Sequence, residues 1–310
     1  MAPVPVGMAP GTPVGAAIQR RATDRRYPHA ISDARLSACF AQVSAISISD
    51  GARANLCQRV NTRVDHRVEE ILTRLRSSRL LWSDETGARV NGHTPGEWVF
   101  QTAEVGVHGI RPSRGHGVIS AILGAHRPTI WGADLSSAQR HHPAEDWQVC
   151  LAHQLRDCQF AIEAGDTMFS PRMKAILLRA FAIHHRRDTL AASTLSQDRR
   201  DRQRRVDQGF ASQPTNPHGR RLPQRDAKIR DHVFLLLDDA SMPPTHNSRE
   251  PAIRMSTVFR KVTNGVRSEW GRALCAAVRS VVNTGNRQGL SASQAIQKAL
   301  SPLGSFFEPG

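Results

Sequence analysis

Residues 80–134 contain four short apolar segments whose boundaries restrict the fold more than any other feature of the chain. The first, LLWSDETG, ends in Asp84 and Glu85 and runs into an Asn-Gly turn, which predicts a buried strand and a hairpin. The segment EWVFQTAEVGVHGI predicts two more strands, GHGVISAILGA a helix, and RPTIWGAD a fourth strand that ends at Asp134. This order of elements predicts a mixed-sheet α/β fold.

A long amphipathic helix precedes these strands. From Ser49, apolar residues recur mostly at three- and four-residue steps, namely at Leu56, Val60, Val64, Val68, Ile71, Leu72 and Leu75. They lie in a helical lead-in that we assign to residues 31–79. Residues 1–30 are rich in Pro, Gly, Ala and Arg without a period, which predicts a disordered basic arm, and we expect residues 301–310 to form a tail.

Beyond Asp134 the pattern is helical and predicts a helical insertion at about 145–240. One apolar stripe comprises Trp147, Cys150, Leu151, Leu155, Cys158 and Ile162. The segment RMKAILLRAFAIHHRRDTL predicts a second helix, QDRRDRQRRVDQ a solvated helix face, and residues 209–225 a surface loop. The chain closes with a helix over SEWGRALCAAVRSVVNTGNRQG and a short helix that Ser291 and Gln294 cap.

The charge of the chain is dominated by arginine. The formal net charge is +15, and only four of the 42 basic side chains are lysines. Because a guanidinium group binds phosphate through two hydrogen bonds at once, this bias favours a polyanionic partner such as double-stranded DNA. The alternative explanation is a coding sequence rich in G and C, which favours arginine codons wherever a basic residue is tolerated.

The five cysteines include no C-x-x-C pair, which argues against a disulfide framework and against a zinc ribbon. No apolar stretch approaches the roughly 20 residues that a membrane span needs, and the N-terminus does not resemble a signal peptide. We therefore expect a cytoplasmic protein with no membrane partner. Cys150 and His153 would provide half of a zinc site at most, and packing is the commoner role of such a cysteine.

Asp84 and Asp134 each end a predicted strand, so the two carboxylates could meet at one edge of a sheet and hold a divalent cation. The simpler alternative is that each aspartate caps its own turn. A third carboxylate usually completes a site with two cations. The pattern alone favours Asp238 or Asp239 for this role, because HVFLLLDD also resembles a strand that ends in Asp.

Four motifs of the chain are SDETGARVNG, CLAHQLRDCQ, PPTHNSRE and FRKVTNGVRSEWG. They occur in the same order as similar stretches in the DDE transposases of the insertion sequence sixty-six family, and the chain resembles that family over roughly residues 31–300. The resemblance implies a ribonuclease-H-like mixed sheet flanked by helices, with a catalytic core over residues 80–300. It also implies that the chain is shortened at its N-terminus, because longer members carry a helix-turn-helix and a cysteine-containing region there.

The same resemblance implies a catalytic and metal-binding triad of Asp84, Asp134 and Glu250, with Mg²⁺ or Mn²⁺ as cofactor. The implied reaction is cleavage at the 3′ end of the element, after which the freed hydroxyl attacks target DNA. The implied partners are double-stranded DNA at transposon ends and target, accessory proteins of the same element, and an oligomer on DNA. A bacterial, nucleoid-associated location follows from the same comparison.

The third motif differs from the family pattern at His246, Pro251 and Met255, whereas Asn247, Glu250 and Arg254 match it. The alternative function is therefore a non-catalytic, decayed DNA-binding remnant, and a third is a nuclease of the same fold. A cluster of basic and aromatic residues follows this motif and would contact DNA, or would simply be a solvated helix edge. Its members are Arg254, Arg260, Lys261, Arg267 and Trp270.

Overall fold

The computed structural model describes residues 14–87, 95–140, 142–211, 214–216, 220–239, 241–243, 250–266, 268–301 and 305–307. The chain divides into two compact units, of which the first comprises Met1–Pro128 with Arg249–Gly310 and the second Thr129–Ser248. Both units contain helices and strands, and the strands pair in antiparallel and in parallel fashion. The fold is therefore mixed α/β, as the sequence predicts.

The first unit combines three strands with seven helices in its described part. The strands are β1 (Leu80–Gly87), β2 (Gly96–Gln101) and β3 (Gly106–Arg111). The helices are α1 (Ala16–Arg26), α2 (Asp33–Ser44), α3 (Asp50–Leu75), α4 (Gly117–Leu123), α10 (Glu250–Thr263), α11 (Glu269–Arg287) and α12 (Ala292–Leu300). Helix α3 confirms the predicted amphipathic helix, and Ser49 caps it by accepting a hydrogen bond from Ala52 N. Helix α12 has the predicted capping box of Ser291 and Gln294.

The three strands form an antiparallel sheet with β2 in the middle. Asp84 pairs with Val99 across the β1–β2 ladder, and Val99 pairs with His108 of β3. Directly paired residues project to the same face of an antiparallel sheet, and successive residues along a strand alternate between faces. The side chains of Asp84, Val99 and His108 therefore form one row on one face.

Different helices cover the two faces of this sheet. A Cβ atom added at Gly106 would collide with Asn283 of α11, and one added at Gly109 would collide with Ile122 of α4. Since residues 106 and 108 share a face and residue 109 lies on the other, α11 covers the face that carries the His108 side chain. Asp84 belongs to this α11 face.

The described residues near both ends of the chain are more ordered than the sequence predicts. The predicted disordered arm over residues 1–30 contains helix α1, and Ala22, Tyr27 and Ala30 are buried. Residues 1–13 lie outside the described part of the chain. In the predicted tail, Phe306 is fully buried and its backbone N–H donates to Glu70 of α3 at 2.8 Å. The prediction of disorder is therefore wrong for the described part of the arm, and the described part of the tail contacts α3. In each segment a buried aromatic side chain anchors residues whose composition is typical of a loose chain.

The second unit contains two parallel strands and several helices. Its strands are β4 (Ile130–Ala133) and β5 (Asp146–Val149), and its helices are α5 (Ser137–Arg140), α6 (Leu151–Glu163), α7 (Phe169–Arg186), α8 (Ala192–Phe210) and α9 (Arg221–Lys228). The predicted helical stripe from Trp147 is wrong in its first turn, because Trp147 lies in β5 and α6 begins at Leu151. The predicted loop over residues 209–225 contains the start of α9.

The segment HVFLLLDD is not a strand. Leu235–Leu237 forms a 3₁₀ turn, and the buried side chain of Gln148 forms hydrogen bonds with two backbone groups of the segment. Gln148 Nε2 donates to Val233 O at 3.0 Å, and its Oε1 accepts from Leu236 N at 3.0 Å. These hydrogen bonds satisfy backbone groups that a strand would have paired with a neighbour. Within the described residues, no helix is both long and apolar enough to cross a membrane.

Candidate active site

The prediction that Asp84 ends its strand is wrong, because β1 continues to Gly87. Asp84 is half-buried near the middle of β1, on the face of the sheet that α11 covers. Its Oδ1 accepts a hydrogen bond from the backbone N–H of Glu85 at 2.8 Å. The next residue, Glu85, projects to the opposite face, where Arg114 donates to both of its carboxylate oxygens at 2.8 and 2.6 Å. The two adjacent carboxylates thus have different surroundings. The ion pair with Arg114 gives Glu85 a structural role on its own face of the sheet.

Helix α10 packs on the same face as Asp84. Ser256 of α10 donates a hydrogen bond to Glu97 of β2, and Glu97 pairs with Thr86, two residues after Asp84. Arg260, one turn further along α10, donates to the carbonyl oxygen of Gly87 at the end of β1. These contacts hold α10 against the face of the sheet from which the Asp84 side chain projects.

Glu250 is the first residue of α10. It lies six residues before Ser256, which corresponds to about 9 Å along the helix axis. Its side chain is outside the part of the chain that the structure describes, as is all of His246. Pro251 lies in the first helical turn, where proline is tolerated, and the helix continues to Thr263. The substituted proline therefore leaves the helix intact.

Asp134 follows the fully buried strand β4 in the second unit. Its Oδ1 accepts a hydrogen bond from Ser136 N at 2.8 Å, and this turn leads directly into α5. Asp134 therefore caps its own turn, as the simpler alternative predicts. The same hydrogen bond also fixes a half-buried carboxylate at the carboxyl end of a strand. Whether Asp84, Asp134 and Glu250 converge stays a prediction.

The donor chemistry of these residues fits Mg²⁺ or Mn²⁺, because both ions prefer carboxylate oxygens and need only one or two of them beside substrate phosphate. Among the described side chains, which exclude that of Glu250, no group of three or more His, Cys, Asp or Glu is arranged to hold a metal ion. Asp239 instead accepts two hydrogen bonds from Ser241, from N at 2.9 Å and from Oγ at 2.6 Å.

The basic and aromatic residues predicted to contact DNA separate into two groups. Arg254 and Lys261 are exposed on α10, and Trp270 of α11 is 41% exposed. Arg260 is half-buried and bound to Gly87 O, so it acts within the fold. Arg267 lies outside the described residues. Arg254 and Lys261 are seven residues apart, which places both side chains on one side of the helix.

A groove of about 430 Å³ adjoins Trp270 in the first unit. Its basic side chains, Arg26 and Arg53, both form ion pairs with Asp33, at 3.0 and 3.3 Å. Arg53 also pairs with Asp50 at 2.8 Å. These pairs compensate the positive charge of the groove, and the exposed cations of α10 remain the better candidates for contacts with phosphate.

Three charged or polar residues buried beneath α10 are not among the site residues predicted from the sequence. Glu97, His108 and Arg279 are 4%, 6% and 7% exposed. Burial would raise the pKa of Glu97, but the hydrogen bond from His108 and the charge of Arg279 lower it below its usual value. The signal for this group was a single arginine in the apolar helical segment AAVRSVV.

The hydrogen bonds of His108 define its neutral form. Burial lowers the pKa of His108, and the charges of Arg279 and Arg287 lower it further, although Glu97 acts in the opposite direction. Nδ1 lies 3.3 Å from Glu97 Oε1 and Nε2 lies 3.2 Å from Asn283 Nδ2. Because a carboxylate only accepts and an amide nitrogen only donates, Nδ1 carries the proton and Nε2 accepts.

Comparison with known proteins identifies one family. The family model described as Transposase IS66 family matches residues 12–273, which is more than half of the chain. No curated protein matches the sequence. The matched range includes Asp84, Asp134, Glu250 and the exposed basic residues of α10.

Proposed function

Because the chain belongs to the IS66 family of transposases, we propose that it catalyses metal-dependent DNA cleavage and strand transfer of an insertion sequence. Family membership implies that the chain binds DNA and suggests that it is a DNA-processing enzyme. The proposal adds the chemistry, namely a DDE-type reaction on a ribonuclease-H-like core. Asp84, Asp134 and Glu250 are the proposed catalytic residues.

One observation carries this proposal. Asp84 projects from the face of the β1–β3 sheet on which α10 packs, and Glu250 is the first residue of α10. Asp84 and the helix that begins at Glu250 are thus on the same side of the sheet. Had α10 packed on the α4 face, the sheet itself would have separated Asp84 from Glu250.

In the proposed mechanism Asp84, Asp134 and Glu250 would hold the divalent cations, and the cations would bind the phosphate of the DNA. Two bound cations would supply positive charge at the attacking and the leaving oxygen of the phosphodiester. Arg254 and Lys261 bind phosphates along the exposed side of α10, and Trp270 provides an aromatic surface for a base or sugar. These contacts tolerate different sequences, because phosphates carry no sequence information.

A strand-transfer assay tests this function. The purified protein is incubated with Mg²⁺ or Mn²⁺, labelled DNA that carries the ends of the element, and a target plasmid. We expect joined products from the unaltered protein and from Asp188→Asn, which removes an exposed carboxylate from a 3₁₀ turn. We expect none from Asp84→Asn, which keeps the side-chain size but removes a metal-binding charge.

The two alternative functions give different results in the same assay. A decayed remnant would bind the labelled DNA without cutting it at any metal concentration. A nuclease would cut the DNA but form no joined product. Joining by Asp84→Asn at the rate of the unaltered protein and of Asp188→Asn would contradict the assigned site.

A further inference from the structure

Four polar side chains that the proposed chemistry does not use meet beneath α10. They are Glu97 of β2, His108 of β3, Ser256 of α10 and Arg279 of α11, and we refer to them as the buried polar cluster. Each is less than 8% exposed. Burying an ion pair costs free energy that its own attraction often fails to recover, so such a pair is weak evidence of a stabilising role.

The contacts of the buried polar cluster converge on α10. Ser256 Oγ donates to Glu97 Oε1, and Arg279 Nη1 donates to Ser256 Oγ. Arg279 Nη1 also lies 3.7 Å from Glu97 Oε1, and its Nη2 donates to the backbone carbonyl of Met255 at 3.3 Å. Two consecutive residues of α10 are therefore bound by one guanidinium group.

Such contacts restrict α10 in a way that apolar packing does not. An apolar interface permits small rotations and translations of a helix, whereas directional hydrogen bonds to one side chain and one backbone carbonyl fix its rotation. The ring of Phe259, one turn further along α10, lies 5.2 Å from the Arg279 guanidinium carbon. Glu250 begins α10 five and six residues before the bound residues Met255 and Ser256, so any rotation of α10 would move its backbone.

We propose that the buried polar cluster positions α10 so that the Glu250 carboxylate reaches the cation held with Asp84. Glu97, Ser256 and Arg279 are then positioning residues for the reaction. This inference rests on the proposed function, because it assumes the metal site. It explains why the charged side chains of Glu97 and Arg279 are buried beneath α10, which packing alone does not explain.

Ser256→Ala is the most informative variant, because it removes one hydroxyl and leaves the Glu97–Arg279 ion pair in place. The matched control is Ser280→Ala. Ser280 Oγ is also buried and joins α11 to β3 by accepting from His108 N at 2.8 Å, but it makes no described contact with α10. Ser256→Thr keeps the hydroxyl and should restore the wild-type behaviour.

Two measurements on the full chain test the inference. The first is Mn²⁺ binding followed by electron paramagnetic resonance, and the second is hydrogen exchange of the α10 amides. We expect Ser256→Ala to weaken Mn²⁺ binding about 10-fold to 100-fold, the range seen when a residue that orients a metal ligand is lost. Exchange in α10 should become faster in Ser256→Ala, while Ser280→Ala should change neither quantity.

The outcomes separate this inference from the proposed function. If the unaltered protein does not bind Mn²⁺, the metal site and the function that depends on it are wrong. If the unaltered protein binds Mn²⁺ and Ser256→Ala binds it as tightly as Ser280→Ala, the positioning role alone is wrong. Equal weakening by Ser256→Ala and Ser280→Ala would indicate a general loss of stability and would also refute the positioning role.

Discussion

Asp84 and Glu85 are neighbours in the sequence but project from opposite faces of the β1–β3 sheet. Glu85 is bound by Arg114 through two hydrogen bonds, and Asp84 lies on the face that α10 and α11 cover. The strand alternation thus gives Glu85 an ion pair on one face and leaves Asp84 on the face where α10 packs. Sequence alone could not distinguish the two, because both follow the same apolar segment.

This relationship predicts different effects of two similar substitutions. Glu85→Gln should lower the free energy of unfolding by about 0.5–1 kcal/mol, because Arg114 is largely exposed and solvent weakens the ion pair. It should leave DNA cleavage intact. Asp84→Asn should abolish cleavage with little loss of stability. Urea unfolding and a nicking assay on the same preparations provide the comparison, and loss of cleavage in Glu85→Gln would contradict the assignment.

The salt dependence of DNA binding should show which basic residues of α10 contact phosphate. Removing one phosphate contact decreases the slope of log K against log salt concentration by about 0.9. We expect this decrease for Arg254→Ala and for Lys261→Ala, which remove exposed cations. Arg260→Ala should leave the slope unchanged and lower stability, since Arg260 binds Gly87 O. An unchanged slope in all three variants would exclude α10 as the DNA-binding surface.

The N-terminal helix should contribute to the stability of α10. Tyr27 is buried and stacks on Phe259 of α10 with a centroid distance of 6.0 Å. Tyr27→Ala should lower the free energy of unfolding by about 3 kcal/mol, as for other buried aromatic residues. The control is Arg21→Ala, which changes an exposed side chain of α1. Equal unfolding midpoints in urea for the two variants would support the disordered arm that composition predicts.

His108 should make the stability of the chain depend on pH. Its pKa is lowered in the folded state, so the unfolded state binds more protons and stability decreases as the pH falls below about 6.5. The slope is at most about 1.4 kcal/mol per pH unit. Burial raises the pKa of Asp226 to about 6, which acts in the opposite direction. The informative quantity is therefore the difference between wild type and His108→Gln.

Unfolding of both proteins between about pH 5 and 7 measures this difference. The His108→Gln variant should lose the dependence that His108 contributes, because glutamine does not titrate. Parallel stability curves for the two proteins would show that His108 does not bind a proton differently in the folded and unfolded states.

Local patterns predicted the elements that depend on neighbouring residues. Helix α3, the hairpin of β1 and β2, and the capping box of α12 all follow from spacing and turn residues within short windows. Strand β5 was missed because it has only four residues and obtains its partner from β4. Helix α1 was missed because its anchor Tyr27 packs on Phe259, which is distant in the sequence.

The candidate site was predictable to a similar extent. Asp84 and Asp134 are identified by the apolar segments that they follow, but the choice of Glu250 over Asp238 and Asp239 required the family resemblance. The buried polar cluster could not be assembled from sequence, because Glu97, His108 and Arg279 come from three separate elements. A charge within an apolar segment was the only sign of it.

The most direct test of the central claim is Mn²⁺-dependent nicking of supercoiled plasmid, with DNA binding measured in parallel. The compared proteins are the wild type, Asp84→Asn, Asp134→Asn, Glu250→Gln and the control Asp188→Asn. We predict nicking by the wild type and the control, no nicking by the other three, and similar DNA binding by all five. Nicking by any of the three site variants at the wild-type rate would contradict the assignment of that carboxylate to the metal site.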